Sequence, residues 1–138
     1  MIPPKEFIRG IKPFSFLSDQ ELDILISGLE VDFYKKGRKI FKKGESRKYV
    51  YIVFSGLVSL FEEDESIDYI SSGEPFGIIT LGGAYPHMVT ARAVEDSICY
   101  LIGLEKFDEV FKSNKRFSAF FITFLGRLFH HFRTIASE

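Results

Sequence analysis

The chain has 138 residues, with 18 basic and 19 acidic side chains, one cysteine, no tryptophan and sixteen phenylalanines. That length suits one domain with a real hydrophobic core and excludes two packed catalytic domains. A net charge of −1 excludes a surface built chiefly to neutralise phosphates, so nucleic acid is not an expected partner.

From the N-terminus, Pro3, Pro4, Gly10 and Pro13 leave room for a short helical turn around Lys5 to Arg9. No basic segment leads into an apolar stretch, and no run approaches the ~18 apolar residues a membrane span needs. A soluble, cytoplasmic protein without membrane contact is expected. The run Leu17-Ser18-Asp19-Gln20-Glu21-Leu22 is the first clear helix start. Ser18 and Glu21 have the spacing of a capping box, and Leu17 can staple against Leu22. Leu22, Leu25, Ile26 and Leu29 then form an apolar face, with Gly28 as the expected stop.

From Val31 to Ile102 the texture changes to short β-rich segments separated by Gly37, Gly44, Gly56 and Gly73. Strands are predicted at Val31 to Tyr34, Lys39 to Phe41, Tyr49 to Phe54, Leu57 to Phe61, Ile67 to Ile70, Met88 to Val94 and Ser97 to Ile102. Many short strands imply a jelly-roll or barrel-like sandwich. Tyr49 to Phe54 is apolar on both parities, as expected of a strand covered on both faces. Cys99 lies in the apolar run 98–102 and reads as a buried, inert thiol. Between the strands, Lys35 to Lys48 carries eight basic residues and Glu62 to Asp68 five acidic ones. They read as an edge-strand guard and a solvated hairpin tip, with a docking patch for an acidic partner as the alternative.

After Gly103, Leu104, Phe107, Val110 and Phe111 form one face of a helix over 104–112. A last helix is predicted from about Lys115 to the end. Phe117, Phe121, Phe124, Leu128 and Ile135 make one stripe of it, and Phe120, Leu125, Phe129 and Phe132 an adjoining face. This apolar arc is wider than one globular surface requires. It marks Phe120, Phe124, Leu128 and Phe132 as a dimer or partner surface.

The chemistry concentrates in Gly73 to Ala93, where Phe76-Gly77, a stretch able to form one helical turn and a Gly-rich loop interrupt the β pattern. Exposed backbone N–H groups at such a place are a generic means of holding phosphate. A crossover loop whose glycines only turn the chain is the competing reading. Enzyme chemistry lacks the necessary groups. A metal-dependent β-roll enzyme needs about three convergent histidines with a carboxylate, whereas the histidines are His87 and the neighbouring pair His130 and His131. No catalytic residue, metal site or enzyme activity is expected.

This stretch resembles the phosphate-binding cassette of the cyclic-nucleotide-binding domain family. The family pattern is Phe-Gly-Glu-(Leu/Ile)-Ala-Leu, a loop, then Pro-Arg-Ala-Ala-Thr-Val-x-Ala. Phe76, Gly77, Ile79, Leu81, Pro86, Thr90 and Ala93 match it without a gap. Phe14 to Ser18, Lys36-Gly37 through Glu45, and Val53-x-Ser55-Gly56-x-Val58 extend the resemblance over most of the chain. It implies a mainly β fold with flanking helices: a double-stranded β-helix, or jelly roll, of about eight strands. One domain over 1–138 is expected, with an N-terminal helical segment (1–30), the β-roll (31–103) and two C-terminal helices (104–138).

The resemblance further implies a ligand site at Phe76, Gly77, Ile78, Ile79, Thr80, Pro86, His87, Met88, Val89 and Thr90. In the family a Glu accepts from the ribose and an Arg pairs with the cyclic phosphate. Those positions are Ile78 and His87 here. Charged hydrogen bonds are worth about 1.5 to 3 kcal/mol, so these changes together cost about 10²- to 10⁴-fold in affinity. Met88 and Val89 make the wall more apolar than is usual there. His87 reads as a surface loop histidine; were it a ligand, binding would strengthen below about pH 6.5. Arg92, sharing strand parity with Thr90, is a secondary candidate for the phosphate. Cyclic AMP or cyclic GMP is the ligand the family implies, with both its side-chain anchors replaced; no other cofactor is expected.

Two functional classes follow. One is a regulatory sensor domain of a signal-transduction protein, with altered or lost cyclic-nucleotide binding, taking a small nucleotide or other phosphate-containing ligand and coupling through its C-terminal helix. The other is a ligand-free dimerisation or interaction module of a larger protein, paired as a homodimer or with a downstream domain. Such domains occur in bacteria beside CBS and nucleotidyltransferase modules.

Overall fold

Alternation within two central strands divides the apolar residues between two cores. Strand β3 (Tyr49–Ser55) turns Val50 and Ile52 to one side and Tyr51 and Val53 to the other; β8 (Ser97–Gly103) does the same with Tyr100 and Ile102 against Cys99 and Leu101. The computed structural model describes residues 2–78 and 86–123, and in it both faces of these strands are covered, as Tyr49 to Phe54 predicts.

The remaining strands are β1 (Glu30–Tyr34), β2 (Lys39–Phe41), β4 (Leu57–Glu62), β5 (Glu65–Ser71), β6 (Pro75–Phe76) and β7 (Thr90–Ala93). They form two antiparallel four-stranded sheets, ordered β1-β8-β3-β6 and β2-β7-β4-β5. Between the sheets lie Phe41, Tyr51, Val53, Val58, Leu60, Ile70, Phe76, Val89 and Leu101. This is the mainly β jelly roll of eight strands that the resemblance implies.

Helices cover the outer face of the first sheet. They are α1 (Pro4–Arg9), a 3₁₀ turn (Phe14–Phe16), α2 (Asp19–Ile26), α3 (Leu104–Ser113) and α4, whose described part is 115–123. The α2 capping box is present: Glu21 N–H donates to Ser18 Oγ at 3.1 Å, and Ser18 N–H donates to Glu21 Oε1 at 3.0 Å. Asn114 joins this corner, its Oδ1 accepting from Phe117 N–H at 2.9 Å and its Nδ2 donating to Glu21 at 3.1 Å. Phe117 and Phe121 then pack edge-on against Phe14, Phe107 packs against both of them, and all four rings are buried. No helix among the described residues is long and apolar enough to cross a membrane.

Among the predicted boundaries that change, two bear on the site. Phe76 does not interrupt the β pattern: it pairs with Tyr51 in the short β6. The strand predicted from Met88 begins at Thr90, because Val89 turns into the inter-sheet core and the chain at His87 bonds across to the 44–45 turn instead of continuing along β4.

Candidate functional site

The site begins where β6 ends. Gly77 has φ +79°, and a Cβ there would stand 2.9 Å from Tyr51 Cδ1, so the chain can turn beside that ring only with glycine. The turn sends Ile78 inward. Its side chain is 3% exposed and belongs to the helix-side core, so the position the resemblance assigns to a ribose acceptor is a packing position here.

His87 stands on the opposite wall. Its N–H donates to Glu45 O at 2.9 Å and its carbonyl accepts from Gly44 N–H at 2.8 Å. These bonds pin the backbone and hold the imidazole over Phe41, ring centroids 3.6 Å apart and planes 9° from parallel. The ring is 4% exposed, which corrects the expectation of a surface loop histidine. Burial, followed by the charge of Arg47, pushes its pKa down to about 4. At neutral pH the ring is therefore uncharged, with one nitrogen donating and one accepting.

Arg47 is a second departure. The Lys35 to Lys48 run reads as a solvated guard, and Lys39 on edge strand β2 fits that. Arg47, however, is half-buried; desolvation lowers its pKa, while the charge of Asp108 on α3 opposes the shift.

The other candidates separate by position. Pro86 is exposed, Met88 half-buried and Val89 buried. Thr90 Oγ1 accepts from Lys43 N–H at 3.0 Å. Arg92 points outward, its guanidinium 4.8 Å above the Phe61 ring, and takes no part in the cavity wall. Ile79 and Thr80 lie outside the described residues, as do Phe124, Leu128 and Phe132 of the proposed partner surface and both His130 and His131. Of that surface, Phe120 is 39% exposed, its ring edge-on to Phe16 and Phe121.

A cavity of about 480 Å³ joins these pieces, with Phe76, Gly77, Ile78, His87, Met88 and Val89 on its wall. Sequence reasoning missed much of the rest: Phe41 from β2, Leu60 from β4, Ile67 and Ile70 from β5, and Phe121 from α4. Alternation accounts for Phe41, Leu60 and Ile70, whereas Ile67 stands at a register shift in the β4–β5 pairing and Phe121 is on a helix. What linear sequence did not display was the meeting of three separate strands and a helix at one cassette. Charge on the wall comes from Lys12, Asp68 and Glu74 among the described residues.

Known proteins share this architecture. The sensor domain of the transcriptional regulator DNR from Pseudomonas aeruginosa superposes with a TM-score of 0.78 at 19% identity, covering 91% of this chain and 93% of that one. A cAMP-dependent protein kinase regulatory subunit from Debaryomyces hansenii is 29% identical over 107 residues, 77% of this chain and 24% of that protein. The cyclic AMP receptor protein of Thermus thermophilus is 30% identical over 95 residues, 65% of this chain and 44% of the receptor. The chain thus spans under half the length of either of these relatives. The sequence model of the cyclic nucleotide-binding domain matches residues 31–114, from β1 through the cassette to the end of α3, and on that match the chain belongs to the cyclic nucleotide-binding domain family.

Proposed function

We propose that this chain is the ligand-sensing regulatory domain of a signal-transduction protein, with ordinary cyclic AMP and cyclic GMP recognition altered or lost. The whole of 1–138 acts as one domain in a cytoplasmic protein, without catalytic activity of its own, and the C-terminal helix passes the state of the cavity onward. The observation that carries this reading is the buried, neutral His87 stacked on Phe41 at the place of the phosphate-binding Arg. Ile78 supports it, since an apolar side chain packed in the core offers the ribose no acceptor. Coupling through the helix is supported by Phe121, which touches Phe14 and Phe107 in the core and also borders the cavity.

Calorimetric titration with cyclic AMP and cyclic GMP tests the reading. The expected outcome is no saturable binding below about 1 mM, equivalent to less than about 4 kcal/mol of binding free energy. A micromolar Kd for either nucleotide overturns it.

A ligand-free dimerisation module is the second reading, favoured by the exposure of Phe120 and Ile122, 39% and 52%, on the same helix. Light scattering separates the two: a dimer weakened by Phe120→Ser and Ile122→Ser supports the module, and a concentration-independent monomer removes it.

A further inference from the structure

The cavity wall has a chemistry of its own. Phe41, Leu60, Ile70, Phe76, Val89 and Phe121 make it largely apolar and aromatic. Its charged members among the described residues, Lys12, Asp68 and Glu74, sum to −1. Arg47 is close enough to act on His87 but is not on the wall, and its charge is held by Asp108. Among the described residues the wall therefore offers little to balance an anion, and burying an unbalanced charge is costly.

One buried polar group does face this space. The His87 imidazole is 96% buried and borders the cavity; Phe41 covers its face, and among the described residues its ring nitrogens have no hydrogen-bond partner. A neutral imidazole can donate one hydrogen bond and accept another. The volume, about 480 Å³, falls within the roughly 300–1,000 Å³ of small-molecule pockets, which pair apolar walls with a few placed polar groups.

We infer that the cavity binds an uncharged aromatic molecule, seated among the phenylalanines and hydrogen-bonded through a hydroxyl or ring nitrogen to His87. This assignment rests on the proposed loss of ordinary cyclic-nucleotide recognition and names the ligand class that takes its place. A phosphate ester of the same molecule is rejected, because its charge finds no partner on the wall.

The probes are 1-naphthol and 1-naphthyl phosphate, which share a ring system and differ in charge at neutral pH. Calorimetry on the full chain is expected to show 1-naphthol binding at least about tenfold more tightly than the phosphate, the cost of an unbalanced buried charge. Ile67→Trp, which places bulk into the cavity from a half-buried position, abolishes 1-naphthol binding; Tyr69→Ala, on the exposed side of the same strand, leaves it unchanged. His87→Phe keeps the stacking on Phe41 and weakens 1-naphthol while sparing naphthalene. Equal or tighter binding of the phosphate overturns the inference, as does failure of 1-naphthol to bind or its indifference to Ile67→Trp. A cyclic nucleotide binding tightly in the same instrument overturns the functional reading itself. Absence of binding by both naphthyl probes and both cyclic nucleotides overturns only the ligand class.

Discussion

His87 shows how one side chain changes what a cassette can do. Its folded-state pKa is depressed to about 4 from the ordinary 6.5, so between those values the unfolded chain binds a proton that the native chain refuses. Stability is then highest above pH 6.5 and falls as pH drops toward 4. Between pH 7 and pH 5 the loss from this residue is about 2 kcal/mol. Urea unfolding at the two pH values should show it, and His87→Phe should reduce the difference by that amount; an unchanged difference means the ring is not buried as described. Cys99 is the inert counterpart: burial pushes its thiol up to about 12, so it remains protonated at neutral pH. Gly56 is the sharpest steric constraint among the described glycines. It has φ +101°, and a Cβ there would lie 2.2 Å from Ser97 Oγ and 2.6 Å from Asp96 O. Gly56→Ala is expected to cost about 3 kcal/mol or more, combining positive-φ strain with a backbone clash, read as a lowered denaturation midpoint.

At the level of elements, local signals were the most legible. Ser18 and Glu21 sit three apart, need only each other, and form the expected box. Ser18→Ala should lower stability by about 1 kcal/mol, measurable by thermal unfolding. The double-sided apolar pattern of β3 was equally readable, since each parity meets a different core. Contacts between distant segments were not. Nothing local in Lys35 to Lys48 distinguishes Arg47 from its exposed neighbours; only the folded chain brings it toward His87 and Asp108. The terminal stripe was readable as apolar, but its division was not. Phe117 and Phe121 go inward to Phe14 and Phe107, while Phe120 and Ile122 stay exposed. Phe121→Ala should therefore cost about 3 to 5 kcal/mol and loosen the α4 wall of the cavity, whereas Ile122→Ala should change stability by less than about 0.5 kcal/mol. Equal effects of the two would place the helix in a different rotation.

Across the whole molecule, two sheets enclose one core, helices close a second, and the cassette cavity lies where the two meet. Ile78 belongs to the helix-side core while His87 stacks on Phe41 of the inter-sheet core. Ile78 and His87 thus tie this stretch of chain into both cores. The surplus of phenylalanine has the same explanation in part, since Phe14, Phe107, Phe117 and Phe121 form the seam between helices and roll. On the function proposed above, a cyclic-nucleotide-binding fold is retained while its recognition chemistry is replaced at Ile78 and His87. The most direct test is the cyclic AMP affinity of Ile78→Glu/His87→Arg against that of the unaltered chain, by calorimetry on folded protein. A gain of about 10²-fold or more is expected on restoring the two charged partners; an unaltered chain that already binds cyclic AMP as tightly as the double variant overturns the proposed function.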